Sequence, residues 1–184
     1  MDIGSLQTKV DTYRGIVENT KNYRKDWKEH LKQMIISNLE EINKISGLGA
    51  KIDIQDNMEN LEVVMFTLGQ EVSGIAEKIE NSDVTRPMIK HNGSLVYQQL
   101  FNGKVMIMIA YPLIEGYGQP KPPKMVEILR PEEFKEPYVI RHVEEFLKEL
   151  INWEDYDDDA QNHAGASTPI GFTTPSIITE DQAG

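Results

Sequence analysis

The chain runs to 184 residues, 39% of them hydrophobic and 27% charged, with no cysteine and a net charge of −11. That length suits one domain with extensions, and an apolar share of about 46% once glycine is counted is that of a chain that folds. The lack of cysteine excludes a disulfide-held secreted domain, no apolar stretch approaches the ~20 residues of a membrane span, and the first residues lack a basic-then-apolar signal, so a cytoplasmic location is expected.

The charge is uneven: residues 1–50 hold eight Lys and Arg against seven Asp and Glu, and the remaining 134 residues carry −12. Such a balance argues against nucleic acid as a partner, because basic residues supply most of that affinity. Lys21, Arg24, Lys25, Lys28 and Lys32 form a local basic cluster, but Asp26 and Glu29 stand among them and the group reads as a solvated helix face.

Residues 3–46 read as one helix. Ile3, Leu6, Val10, Tyr13 and Val17, then Trp27, Leu31, Met34, Ile35, Leu39, Ile42 and Ile45, recur three and four apart without an intervening proline. Gly47 and Gly49 supply the stop, and Thr20 and Arg24 interrupt the apolar stripe, dividing the helix into two segments in series. Asp56 and Glu59 then have the spacing of a capping box, and Leu61, Met65, Leu68, Val72, Ile75 and Ile79 continue at helical intervals, predicting a second helix over 57–80. Val63 beside Val64 breaks the alternation of a strand, while 51–55 suits either a short strand or a connector. Helices of roughly 65 Å and 36 Å cannot match as a hairpin, which leaves about 20 N-terminal residues in need of a partner.

Residues 86–111 read as an antiparallel meander with strands at Met88–Lys90, Leu95–Phe101 and Lys104–Tyr111, turned at Asn92-Gly93 and Asn102-Gly103. Val105, Ile107 and Ile109 alternate with Met106, Met108 and Ala110, so both faces of the last strand are apolar and it is expected to be central and covered. The methionines Met88, Met106 and Met108 read as core packing ahead of an adaptable binding surface. The loop 112–124 is rich in glycine and proline and presents Tyr117, Pro120 and Pro123, either as a rigid connector or as a polyproline element offered to a partner. A fourth strand at Met125–Leu129, a turn opened by Pro131, and a broadly apolar helix over 138–153 follow, with Pro137 expected to separate turn from helix.

Chemistry is sparse. His30, His91, His142 and His163 lie far apart, and His142, Glu145 and Glu149 on one helix face lack the cysteine or close histidine pair that would make a metal site. Neither a phosphate-binding glycine loop nor a nucleophile elbow is present, so no catalytic, cofactor or metal residue is assigned. From Glu154 the chain turns acidic and then rich in Gly, Ser, Thr and Pro, the composition of a disordered tail, with Ile170 and Phe172 as a short docking peptide.

The expected fold is therefore α+β: a long N-terminal helical hairpin over 1–81, an antiparallel sheet covered by a C-terminal helix over 82–153, and a disordered acidic tail over 154–184. The expected function is a non-enzymatic scaffold or adaptor that binds protein and forms a homo-oligomer, with Leu6, Val10, Tyr13, Val17, Tyr117, Pro120, Pro123, Ile170 and Phe172 as partner-binding residues. Two other classes stand beside it. Exposed apolar strand faces would favour a chaperone-like protein holding a client, and a closed pocket joining Tyr111, Tyr117 and His91 would favour a small-molecule sensor or enzyme.

Overall fold

The computed structural model describes residues 3–155. Its N-terminal helix comprises α1, Gly4–Asp26, and α2, Lys32–Ser46, joined without a break by a π turn at Trp27–Leu31. The widened turn stands where the apolar stripe resumes after Thr20 and Arg24, and it brings Trp27 and Leu31 into the interior. Gly47 closes α2 in the left-handed region at φ 68°, with its N–H donated to the Asn43 carbonyl at 3.0 Å.

The second helix and the hairpin it would complete are absent, and strands stand in their place. Beyond β1, Lys51–Gln55, and a turn with Asn60 at φ 63°, the chain forms β2, Val63–Thr67, and β3, Gln70–Lys78. Gly69 and Gly74, at φ 74° and 79°, take backbone angles that no helix interior contains. The remaining elements are β4, Thr85–His91, β5, Ser94–Gln99, β6, Val105–Ala110, β7, Leu113–Ile114, β8, Lys124–Leu129, and α3, Glu136–Glu154. Residue 81 lies in the turn between the paired strands β3 and β4, and β2 pairs with β5, so both sides of that position build common sheets.

All pairings are antiparallel, in a five-stranded sheet ordered β1-β2-β5-β6-β8 and a three-stranded sheet ordered β3-β4-β7. The two are one ribbon at their junction. Thr67 faces Ser94, Gln70 faces His91, and between them Leu68 donates to the Gly93 carbonyl and Asn92 to that of Gly69. Asn92-Gly93 is therefore a bend in a continuing ladder rather than the predicted hairpin turn, and β3–β4 is an arm in which no residue is buried. Asn102-Gly103 does join two paired strands, β5 and β6.

The core forms on one face of the larger sheet. Val64 and Phe66 of β2, Leu95 and Tyr97 of β5, and Val105, Ile107 and Ile109 of β6 share a cluster with Trp27, Ile35 and Leu39. Val139, Val143, Phe146 and Leu150 of α3 complete it. Pro131 opens a 3-10 turn over Pro131–Glu133, whereas Pro137 sits within the first turn of α3, where its missing N–H costs no helical bond. The tail from residue 156, including Ile170 and Phe172, lies outside the described residues.

Candidate protein interfaces

From Ile3 to residue 19 every side chain except Val10 is exposed. Leu6 is 58% exposed, Tyr13 68% and Val17 40%, and together with Ile3 and Val10 they keep the alternating three- and four-residue spacing of a helix-packing seam. Local stabilisation of this segment is thin. It has no side-chain N-cap and no acidic residue in its first turn, it contains Gly15, and its five β-branched residues Thr8, Val10, Thr12, Ile16 and Val17 disfavour helix. Among the described residues the charges flanking the stripe, Lys9, Arg14 and Lys21, are all positive; Asp11 and Glu18 lie farther round and pair with Arg14 and Lys21 at 3.8 and 3.1 Å. The helix meets the body only near its end, where Arg24 Nη2 donates to the Phe101 carbonyl at 2.7 Å and Tyr23 is buried.

A second apolar surface is the sheet face turned away from the core, which the sequence offered only as the lesser alternative to core packing for Met106 and Met108. Adjacent strands place Asp53, Met65, Val96, Met108 and Met125 in one row across the sheet. The next row runs Gln55, Val63, Gln98, Met106 and Ile128. From β2 to β8 neither row contains a charge. Met125 is 60% exposed and Ile128 43%, while Met65, Met106 and Met108 are half-buried. The expectation that β6 is covered on both faces is thus corrected: β6 is central, but only Val105, Ile107 and Ile109 enter the core. The signal was present in Val63-Val64 and in the doubly apolar β6, which mark a sheet apolar on both sides.

The Pro/Gly loop gives Tyr117, Pro120 and Pro123 exposed positions. Residues 112–121 and Trp153 line a cleft of about 130 Å³ that includes Tyr117 and Pro120 but neither Pro123, Tyr111 nor His91. His91 instead bonds Glu115 at 2.7 Å, and the Tyr111 hydroxyl donates to Glu149 at 2.6 Å, so the three residues proposed for a sensor pocket do not converge. The Glu149 bond and partial burial push the Tyr111 phenol up to about 12, with burial the larger cause.

Titratable groups between β8 and α3 are mostly satisfied by one another. Lys124 Nζ lies 2.6 Å from Glu145 and 2.7 Å from Glu149, which holds both carboxyls below the ordinary carboxylate range. Glu149 reaches that state against its burial, which acts to raise it. Glu127 bonds both Arg141 and His142 Nε2, the latter at 2.6 Å. The His142 ring is fully buried among Tyr97, Phe134 and Tyr138, and with Lys124, Val126, Glu127, Arg141 and Glu145 it lines a cleft of about 200 Å³. Among the described residues no three His, Asp or Glu side chains are placed to hold one metal ion. Likewise, no helix among them is long and apolar enough to cross a membrane.

No protein-family model, curated protein or solved structure matches this chain.

Proposed function

We propose that the protein is a non-enzymatic cytoplasmic scaffold or adaptor that docks onto protein, whether copies of itself or a larger complex, through the first half of its long helix. The observation carrying this reading is the stripe of Leu6, Val10, Tyr13 and Val17 on a helix segment exposed almost throughout. The packed half of the helix nucleates this segment, but its own sequence is poor for helix propagation and none of its side chains is buried on the body. Its apolar stripe suits packing against a partner, in the manner of an amphipathic helix on an apolar groove or seam.

The Leu6→Lys/Tyr13→Lys double variant tests this reading, because both positions are exposed and the core is untouched. Sedimentation and co-purification of the full chain should show an assembly that the variant loses. A wild-type chain that is monomeric and free of partners, and so indistinguishable from the variant, would refute the reading. The half-exposed methionine rows support a second reading, a chaperone-like protein that holds an apolar client segment on its sheet.

A further inference from the structure

We infer that α1 of one copy lies across the outer sheet face of a second copy, so that the two uncovered apolar surfaces of the chain cover each other. The inference rests on the reading of α1 as a docking helix and specifies what it docks onto.

Dimensions agree. The stripe from Ile3 to Val17 rises about 21 Å at 1.5 Å per residue, and five strands spaced about 4.8 Å apart make a sheet about 19 Å wide. The helix cannot reach its own sheet face. It continues unbroken into α2, whose Ile35 and Leu39 are fixed in the core on the opposite side of the sheet. Only another copy can bring the two surfaces together, and reciprocal engagement closes the pair about a two-fold axis.

Charge selects the sheet over a second α1. In a parallel pair of α1 helices Lys9 faces Arg14 of the other copy, and within Gly4–Asp26 the charges that flank the stripe, Lys9, Arg14 and Lys21, are all cations, so that span sets positive charge beside positive or neutral groups. The two rows of the sheet face are uncharged from β2 to β8, so a helix laid there meets charge only at the β1 edge, where Asp53 ends the Met65 row and Lys51 stands one row beyond it. Methionine side chains are unbranched and adapt to the irregular surface of a helix.

The absence of cysteine makes the test clean. Differently tagged full-length Tyr13→Cys and Met125→Cys chains, both altered at exposed positions, are mixed and treated with a short thiol cross-linker. The expected result is a product joining the two tags in the mixture, exceeding the self-linked product of either preparation. Predominant linkage of Tyr13→Cys to itself overturns the inference in favour of paired α1 helices. In parallel, Met125→Glu should weaken self-association at least about tenfold, as loss of a buried apolar side chain does. A dimer abolished by Leu6→Lys but unchanged by Met125→Glu refutes the sheet face while leaving the α1 reading standing. A client helix that binds the sheet while the wild-type chain alone stays monomeric also overturns it.

Discussion

The indole nitrogen of Trp27 donates to Glu62 Oε2 at 3.1 Å, and Lys32 Nζ reaches the same oxygen at 2.7 Å. A buried carboxylate ahead of β2 thus ties together the two ends of the π turn, where the exposed half of the helix becomes the buried half. Burial acts to raise the Glu62 carboxyl, but Lys32 and Trp27 together hold it below its ordinary value of 4.5.

Glu62→Gln keeps an acceptor for the indole but removes the charge facing Lys32. A loss of about 1–3 kcal/mol at neutral pH is expected from denaturant unfolding, the scale of breaking a charge-assisted buried bond. The sign with pH follows from the lowered native value. The stabilisation is complete above the unfolded carboxyl near 4.5 and is lost as pH falls through the lower native value. The gap between wild type and variant should therefore narrow on acidification below that point; a gap independent of pH would mean that the carboxylate charge is not what matters.

Gly103→Ala probes how α1 is held to the body. Gly103 sits at φ 78°, and a Cβ there would stand 2.7 Å from Tyr23 Cβ and 3.0 Å from the Thr20 carbonyl. The left-handed backbone and the contact together should cost about 2–4 kcal/mol. Gly116→Ala is the control, since its φ of 77° is similar but nothing lies within 4 Å of the added carbon. Equal melting temperatures for the two variants would show that α1 does not press on the β5–β6 turn.

The course of the N-terminal helix, its glycine stop, the Asn102-Gly103 hairpin and α3 were legible because each follows a local rule. Apolar spacing, left-handed glycine and a broad apolar stripe need no tertiary information. Residues 57–80 were misread for a tertiary reason. Val63 faces outward and Val64 inward, so a sheet apolar on both faces erases the alternation by which a strand is recognised. Val72 and Ile79, which completed the helical spacing, are exposed on the arm at 62% and 45%. The outer sheet face and the misread strand thus have one cause. The exposure of Leu6 and Tyr13 was anticipated only because nothing in the sequence matched the helix in length.

Gln99 is fully buried on the core face of β5, and neither of its side-chain amide atoms has a protein hydrogen-bond partner. Each unpaired group forfeits hydration. Gln99→Met, close in length and without polar atoms at its tip, should raise stability by about 1–2 kcal/mol, read as a higher melting temperature. Destabilisation instead would place a bridging water on that amide.

His142 should make stability fall below pH 6.5. Burial lowers its pKa from 6.5, and the neighbouring Arg141 acts in the same direction, while Glu127 opposes both without cancelling them. With Nε2 donating to Glu127, the neutral ring leaves Nδ1 as a buried acceptor without a partner, and protonation would add an N–H there that faces no acceptor. The tautomer follows from that bond. The unfolded chain takes up the proton near 6.5 and the native chain only at lower pH, so stability is full above 6.5 and declines below it until the native ring also titrates. His142→Gln should flatten that part of the curve between about pH 7 and 5, and the His142 ring resonances of the wild type should titrate with a midpoint below 6.5. A midpoint above 6.5 would mean that Glu127 outweighs burial, and the slope would then reverse, with stability lost as pH rises.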